Sequence, residues 1–542
     1  QTTTLAIDSH SAHVYTLQHR ISTKRQTKWN LLHFIFSLLL SLLHCRFSLF
    51  DPLFKDRKME AWLFLFPPFK TRNQKFDFFD QEKAKKREPK MGKKRIPTFL
   101  VFLYLLFASF LWPCATCGAS LTTTRKKSTL SSRSQQLASF VFPVAGNVYP
   151  LGYYSVSVGI GKPAKFYDLD MDTGSDITWV QCDAPCKGCT KPRDQLYKPN
   201  NNVVACVDPL CSAVHFPDNL HCESPKQQCD YLVDYADQGS SMGVLVSDQF
   251  LLQMTNGSQL GVRMSFGCGY DQQDHIPPPA TFGVLGLGSG KASIVSQLYS
   301  LGLMKNVVGH CLGAQGGGYL FFGDHLVPPG IKWVPLAIDF SNNHYTSGPA
   351  ELLFGGRPTG VKGLHVIFDS GSSYSYLNAH VYQTILNLIK GDLKGKPIKE
   401  APEDGSLPVC WKGAKPFKSV RDVKSYFKPV TLSFKQARKA QLELPPEYYL
   451  ILTKHGNVCL GFLNGMEVGL GESNVLGDIS MQDMVVVHDR EKQQIGWFPS
   501  DCDKIPNQDG GYSEAFCQPY AANFGVAHPQ QCPSSYSGRS SS

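Results

Sequence analysis

The sequence predicts a mainly β protein built from two related lobes around a central cleft. From about residue 140 to residue 502 the chain consists of short runs rich in Val, Ile, Leu, Tyr and Phe, separated by Gly, Pro, Asn and Asp. This pattern is typical of strands and tight turns. Helical spacing is seen in two short segments, "KASIVSQLYSLG" and "AHVYQTILNLIKG". One order of motifs occurs twice in the region, which predicts lobes over 140–330 and 331–502.

The duplication rests on two acidic turns. The first, Asp172-Thr-Gly-Ser, follows the run "FYDLDM" and precedes "GVLGLG", which contains Gly286. The second, Asp369-Ser-Gly-Ser, follows "LHVIF" and precedes "NVLGD", which contains Gly477. A single Asp-Thr-Gly is ordinary turn chemistry and indicates only a structural Asx turn. Two copies, each with its own downstream apolar-Gly strand, predict one carboxylate from each lobe at a pseudo-two-fold axis.

The two ends of the chain are expected to lie outside this fold. Residues 91–119, "MGKKRIPTFLVFLYLLFASFLWPCATCGA", have the basic start, apolar run and small-residue end of a signal peptide cleaved near Ala119. The alternative is that the apolar run stays as a membrane anchor, for which it is slightly short. Residues 1–90 lack an initial Met, so we expect upstream sequence translated in frame and a start at Met91. Residues 120–139 resemble a linker or short pro-segment, and 503–542 a disordered tail.

Charge and cysteine content narrow the class of protein. The formal charge of +10 comes from residues 1–119, and the remainder is close to neutral, so nucleic-acid binding loses its main support. Twelve of the 17 cysteines lie between residues 182 and 502, which allows six disulfides whose pairing stays open. A zinc site on "CDAPCKGC" is the alternative, but it requires reduced thiols. Asn256 begins a sequon that predicts a glycosylated surface loop.

The two acidic turns supply the groups needed for acid–base catalysis. If Asp172 and Asp369 face one another, like-charge repulsion prevents both from ionising at mildly acidic pH, so they share a proton. One carboxylate can then take a proton from water while the other gives one to a carbonyl oxygen. A glycine and a serine in each turn are expected to support the acid, by close backbone approach and by hydrogen bonding: Gly174 and Ser175, Gly371 and Ser372.

With these motifs the region 140–502 resembles the pepsin-like aspartic proteases, and more closely their plant nucellin-like branch. The resemblance rests on "DTGSDITWVQCDAPC", "YADQGSSMGVLVSD", "FGCGYDQ", "GVLGLG", "FDSGSSYSY", "NVCLGFLNG" and "NVLGDISMQD". It implies a flap hairpin carrying Tyr235, held by a hydrogen bond from Trp179. The chain departs from the family pattern at Phe282, where an Asp is usual, and at Gln238, where a Gly is usual. A saposin-like insert has no room between Asp369 and Cys502.

The resemblance implies an aspartic endopeptidase that hydrolyses peptide bonds at acidic pH without a metal, a cofactor or a covalent intermediate. Its partners would be extended polypeptides in the cleft, with no nucleic acid, no stable membrane anchor and a monomeric state. The alternative is a non-proteolytic binding or inhibitor protein on the same fold, but such relatives have a broken acid pair, and both acids are present here. We expect passage through the secretory pathway to the extracellular space or an acidic endomembrane compartment. Substrate and subsite preferences stay open.

Overall fold

The computed structural model describes residues 137–216, 221–273, 280–337, 344–435, 437, 440–506 and 512–513. The predictions of an upstream segment, a signal peptide and most of the linker and tail therefore lie outside the described residues. Within the described ranges the chain is mainly β, as the sequence predicts. No helix in these ranges has both the length and the apolar character needed to cross a membrane.

The first half of the described chain contains ten strands and two short helices. The strands are β1 (Phe140–Asn147), β2 (Tyr153–Ile160), β3 (Lys165–Asp172), β4 (Trp179–Gln181), β5 (Asp230–Asp234), β6 (Ser240–Gln253), β7 (Gln259–Gln273), β8 (Gly283–Gly286), β9 (Val307–Leu312) and β10 (Gly318–Phe322). The helices are α1 (Pro209–Val214) and α2 (Ile294–Ser300). Helix α2 lies in one predicted helical segment and is capped by Ser293, whose hydroxyl accepts a hydrogen bond from the Ser296 N–H.

The second half adds seventeen strands and the longest helix of the described residues. The strands are β11 (Lys332–Pro335), β12 (Thr346–Phe354), β13 (Arg357–Pro358), β14 (Leu364–Phe368), β15 (Ser375–Leu377), β16 (Ile398–Glu400), β17 (Cys410–Gly413), β18 (Val430–Phe434), β19 (Ala440–Leu444), β20 (Leu450–Leu452), β21 (Val458–Leu460), β22 (Phe462–Asn464), β23 (Val475–Leu476), β24 (Met484–Asp489), β25 (Gln494–Pro499), β26 (Ile505–Pro506) and β27 (Tyr512–Ser513). Helix α3 (Ala379–Leu393) occupies the other predicted helical segment. Its apolar side chains recur three or four residues apart and are buried.

The predicted duplication is visible in the strand pairing. Strand β3 pairs in parallel with β8, and Asp172 lies opposite Gly286. Strand β14 pairs in parallel with β23 in the corresponding way, with Phe368 opposite Leu476. In each half a short strand after the acidic turn adds to this pair in antiparallel: β4 to β8 and β15 to β23. The same local topology therefore places each acidic turn at the end of a buried parallel pair.

A further layer of the large sheet draws strands from both sides of residue 330. Strand β24 lies between β25 and β9, and β9 continues through β10 to β1. The disulfide Cys311–Cys502 fastens this layer, since Cys311 lies in β9 and Cys502 follows β25. The lobe boundary between residues 330 and 331 stays a prediction. Strands from before and after this boundary both contribute to this layer.

The prediction of six disulfides among the twelve cysteines is confirmed. The pairs are Cys182–Cys268, Cys186–Cys189, Cys206–Cys222, Cys211–Cys229, Cys311–Cys502 and Cys410–Cys459. All three cysteines of "CDAPCKGC" are oxidised, so the alternative zinc site has no free thiol there. Cys182–Cys268 ties the residue after β4 to β7, and Cys211–Cys229 ties α1 to the residue before β5, whereas Cys206–Cys222 closes a loop between these segments.

Candidate active site

The two acidic turns contact one another. Asp172 is the last residue of β3 and is buried, while Asp369 directly follows β14 and is half-buried. A strand delivers each acid to the turn because apolar neighbours hold the strand in the core: Leu169 and Met171 in β3, and Phe368 in β14, are fully buried. Each acid therefore sits where an apolar strand ends and a polar turn begins.

The close approach of the two turns explains their glycines. A Cβ atom at Gly174 would lie 2.6 Å from Oδ1 of Asp369, and one at Gly371 would lie 2.7 Å from Cγ of Asp172. Each turn thus packs its glycine backbone against the carboxylate of the other turn, and any side chain there would displace an acid. The two carboxyl groups are consequently neighbours. Burial first, and the negative charge of Asp369 second, raise the pKa of Asp172 above its usual range.

Each carboxylate accepts two hydrogen bonds from its own turn, one from a backbone N–H and one from a serine hydroxyl. For Asp172 the donors are the Gly174 N–H at 2.8 Å and the Ser175 hydroxyl. For Asp369 they are the Gly371 N–H at 2.9 Å and the Ser372 hydroxyl at 2.8 Å. In both turns the N–H bonds Oδ1 and the hydroxyl bonds Oδ2, so the two acids are held in matching orientations.

A second pair of hydroxyl residues links the turns, and the sequence analysis did not identify it. Thr173 donates its hydroxyl to the carbonyl of Phe368 at 3.0 Å, and Ser370 donates its hydroxyl to the carbonyl of Met171 at 3.0 Å. Each hydroxyl also accepts the backbone N–H of the other residue, at 2.9 Å and 3.2 Å. Both side chains are buried. The signal was available, since both turns carry a hydroxyl residue between Asp and Gly.

The hairpin of β5 and β6 carries a tyrosine near the first acid. Its tip, residues 235–239, is called the flap below. The Trp179 indole N–H donates to the Tyr235 hydroxyl at 2.7 Å, and Trp179 itself is buried in the core. Burial, followed by the negative charge of Asp172, raises the pKa of Tyr235 well above its usual range. The tyrosine therefore stays neutral and able to donate a hydrogen bond beside the acid pair.

Comparison with known proteins identifies the family. Two family models match the chain, the xylanase inhibitor N-terminal domain over residues 154–324 and the xylanase inhibitor C-terminal domain over residues 356–499. An aspartic proteinase of Oryza sativa subsp. japonica is 42% identical over 385 residues, which is 68% of this chain and 92% of that protein. The chain belongs to the pepsin-like aspartic protease family. Aspartic proteinase 39 of Arabidopsis thaliana is 30% identical over 70% of this chain and 82% of its own length.

Solved structures share the fold of this chain at low sequence identity. Basic 7S globulin from soybean matches with a TM-score of 0.54 and 19% identity, over 68% of this chain and 96% of that chain. Conglutin gamma from lupine seeds matches with a TM-score of 0.52 and 18% identity, over 68% and 96%. At this identity the likeness concerns the fold, and the bilobal β architecture predicted from the sequence is confirmed.

The two departures of this chain from the family pattern are accommodated differently. Phe282 packs edge-on against Tyr167, with ring centroids 5.4 Å apart, and lies under the Lys191 ammonium group at 5.2 Å. It is thus part of the apolar packing beneath β8. Gln238, in contrast, has a φ of 72°, a left-handed conformation that favours glycine. Its N–H donates to the Tyr235 carbonyl at 3.0 Å, which closes the turn of the flap.

Two further acids lie close to the pair, and the sequence analysis gave them no role. Burial raises the pKa of Asp170 to about 7, and Thr281 donates its hydroxyl to Asp170 Oδ2 at 3.0 Å. Asp478 is 1% exposed, and burial, followed by the charge of Asp369, raises its pKa well above the usual range. Its backbone N–H donates to the Ser372 carbonyl at 2.7 Å. The pair and these two acids together place four carboxyl groups close to one another at the site.

The predicted glycosylation site lies on the surface. Asn256 is exposed in the turn between β6 and β7, and its side-chain oxygen accepts hydrogen bonds from the Ser258 N–H at 3.0 Å and hydroxyl at 2.7 Å. An exposed turn is the setting in which a glycan can be attached without disturbing packing. Occupancy of the site stays a prediction.

Proposed function

We propose that this chain is an active aspartic endopeptidase in which Asp172 and Asp369 are the catalytic residues. The observation that carries the proposal is the matched hydrogen bonding of two adjacent carboxyl groups, each held by one N–H and one serine hydroxyl. Two such groups share one proton below neutral pH, because like charges at this distance oppose double ionisation. The pair then offers a base and an acid on the same face of the cleft.

In the proposed reaction, the ionised carboxylate takes a proton from a water molecule as its oxygen attacks the carbonyl carbon of the scissile peptide bond. The other carboxyl group gives its proton to the carbonyl oxygen, which forms a neutral tetrahedral diol. The carboxyl group that took a proton from water then gives it to the amide nitrogen, while the other carboxylate takes a proton from one hydroxyl of the diol. The carbon–nitrogen bond breaks, the amine and the carboxylic acid leave, and the pair again holds one shared proton. The pairs Gly174 with Ser175 and Gly371 with Ser372 hold the carboxylates in plane throughout.

The flap is proposed to close over an extended polypeptide. Tyr235 already lies near Asp172, and its hydroxyl is fixed by the indole of Trp179 at 2.7 Å. Closure of the hairpin over the cleft would exclude water and position the scissile bond. The flap would therefore affect substrate binding and the chemical step together.

A non-proteolytic binding protein on the same fold is the second candidate. It is favoured by the description of the matching family models, which names xylanase inhibitor domains. Against it stands the complete acid pair with all of its supporting hydrogen bonds. A protein that only binds has no need to keep a buried and a half-buried carboxyl group side by side, since their repulsion destabilises the fold.

Single substitutions of the two acids test the proposal. Asp172→Asn and Asp369→Asn keep the size of the side chain but remove the shared proton, so peptide hydrolysis should be abolished while folding and secretion persist. Asp168→Asn changes an exposed acid on the same strand and is the matched control. The double variant should be scarcely worse than either single variant, because the acids act as one unit. Full cleavage by either single variant at acid pH would favour the binding protein instead.

The disulfides and the predicted leader support a proposal for the compartment. Six disulfides fit an oxidising environment, either extracellular or lumenal. We propose further that a chain begun at Met91 enters the secretory pathway, is cleaved at or beyond Ser120, and acts as a monomer in the extracellular space or an acidic endomembrane compartment. N-terminal sequencing of the mature protein tests this, and recovery of any of residues 1–90 would contradict it.

A further inference from the structure

The strand that delivers the first catalytic acid carries two more acids on the same face. Side chains alternate along a strand, so Asp168, Asp170 and Asp172 of β3 point to one side, while Leu169 and Met171 point into the core. Their burial increases toward the turn, from exposed Asp168 through half-buried Asp170 to buried Asp172. Of these three acids, the proposed reaction uses only Asp172. Asp170, one step back along the cleft face, needs its own explanation.

The pseudo-two-fold symmetry shows that the fold does not require an acid at this position. Asp170 lies opposite Val284 of β8, two residues before the pair Asp172 and Gly286. The equivalent position of the second turn is Ile367, opposite Val475 of β23. One copy of the repeat therefore places an isoleucine where the other places a carboxyl group. An apolar side chain suits this half-buried position, so burial of the acid is unfavourable unless it serves the site.

One carboxylate oxygen of Asp170 is a buried acceptor that lacks a hydrogen-bond donor among the described residues. Oδ2 accepts the hydroxyl of Thr281 at 3.0 Å, whereas Oδ1 is shielded from solvent and has no hydrogen-bond partner among the described residues. Lys191 is the cation that acts on Asp170 through its charge, but its ammonium group donates to the Ala280 carbonyl. No ion pair joins Lys191 to Asp170 in the part of the chain that the structure describes.

The distance from the acid pair matches the reach of a substrate side chain. Two residues along a strand span about 7 Å, so Asp170 lies about that far from Asp172 along β3. The side chains next to a scissile bond begin within about 3 Å of its carbonyl carbon, and a lysine or arginine side chain extends about 6 Å from its Cα. A basic residue beside the scissile bond can thus bring its charged end to Asp170, under the flap.

We propose that Asp170 is a specificity-determining residue that binds the cationic end of a lysine or arginine side chain flanking the scissile bond. The proposal rests on the proposed endopeptidase activity and names its substrate class. The substrate cation supplies the hydrogen-bond donor that Oδ1 lacks, and Thr281 orients the carboxylate through Oδ2. Asparagine or an apolar residue at position 170 would remove the charge that makes this pairing selective.

The preference for a basic residue should change with pH. Burial raises the pKa of Asp170 to about 7, the charge of Asp168 adds to this, and the Thr281 hydroxyl and Lys191 charge oppose it. The other titratable groups that act on it are Tyr153, Tyr235 and Asp478, with Asp172 next on the strand. Asp170 is therefore protonated in the empty acidic cleft, and a bound cation must displace that proton. Selectivity for lysine over an uncharged side chain should rise from about pH 4 to about pH 7.

Matched peptides test the proposal directly. One series carries lysine, arginine or norleucine immediately before the scissile bond, and a second series carries them immediately after it. Wild type should cleave the basic peptide of at least one series about tenfold faster in kcat/KM than its norleucine counterpart near pH 6. Asp170→Asn should lower this ratio toward one, because asparagine carries no charge to pair with the substrate cation. Asp168→Asn, a change of an exposed acid on the same face, should keep the ratio.

The outcomes separate this proposal from the proposed enzyme. Equal cleavage of basic and norleucine peptides by wild type, or an unchanged ratio in Asp170→Asn, would overturn the role of Asp170 while the endopeptidase stands. If no peptide is cleaved, the endopeptidase fails, and calorimetric binding of statine peptides with lysine or norleucine beside the statine decides the role of Asp170. Loss of a lysine preference in Asp170→Asn would support the role there, and absence of any preference in wild type would refute it.

Discussion

Two buried histidines in the sheet layer shared across residue 330 should make the protein less stable in acid. His310 of β9 and His488 of β24 lie on paired strands, and their ring centroids are 6.2 Å apart. Both side chains are 0% exposed, and neither ring nitrogen of either residue has a hydrogen-bond partner in the described ranges. The ring of His488 stacks on Tyr345 at 4.0 Å. Protonation of either imidazole would place an unpaired charge in the core.

The magnitude follows from the pKa of His310. Burial lowers this pKa from 6.5 to about 4, and burial together with the charges of His310 and Arg490 lowers the pKa of His488 well below its usual range. The folded state thus binds these protons less readily than the unfolded state, so the full stability is present above about pH 6.5 and falls as pH decreases. Each unit of pKa shift corresponds to about 1.4 kcal/mol, so His310 alone costs about 3 kcal/mol by pH 4.

Urea unfolding of His310→Leu measures this cost. The variant should differ from wild type by about 1 kcal/mol or less at pH 7, because leucine replaces a neutral ring in an apolar setting. The unfolding free energy of the variant should exceed that of wild type by about 3 kcal/mol near pH 4. At this pH the unfolded wild type binds a proton at His310 that the folded state binds less readily. His380→Leu, an exposed position of α3, is the control and should follow the wild-type pH dependence. Parallel stability curves for wild type and His310→Leu would refute the reasoning.

Four further variants probe the hydroxyl bonds between the two acidic turns, the flap and one turn glycine. Ser370→Ala removes a buried hydroxyl and the acceptor of the Thr173 N–H, so denaturant titration should show an unfolding free energy lower by about 1–3 kcal/mol. An unchanged unfolding free energy would mean that these hydrogen bonds do not stabilise the fold. Trp179→Phe removes the donor to Tyr235 and should lower kcat/KM about tenfold in steady-state assays, with folding retained. Gln238→Gly should raise the unfolding free energy by up to about 1 kcal/mol in thermal scans, because a left-handed residue is relieved. Gly371→Ala should abolish hydrolysis and statine-inhibitor binding in a secreted protein, since its methyl group would displace Asp172.

The acid pair and its fold were predictable because the sequence states them twice. Each acidic turn has an apolar strand before it and an apolar-Gly strand far downstream, and the structure pairs these strands in parallel in both halves. Local pattern also located α2 and α3, whose first turns are capped by Ser293 and Asn378. These features depend on short-range chemistry and on repetition, which a single sequence displays.

The features that escaped prediction depend on contacts between distant segments. Cysteine spacing does not reveal that Cys182 pairs with Cys268, or that Cys311 pairs with Cys502, because pairing follows from where β4, β7 and β9 lie in the folded sheet. The same holds for β24, which pairs with β9 although fourteen other strands lie between them along the chain. The amino-acid composition of either strand does not predict which strand pairs with it.

The repeat determines which site residues could be predicted from the sequence and which could not. Thr173 and Ser370 occupy equivalent places in two turns expected to meet, and a buried hydroxyl must find a partner, so their mutual bonds could be derived from the repeat. Asp170 has no such derivation, since its equivalent is Ile367 and the fold accepts either residue. A repeated residue in this molecule reports what the shared fold and reaction require. An acid present in one copy alone is not required by the shared fold. We therefore test Asp170 as a residue that binds the substrate.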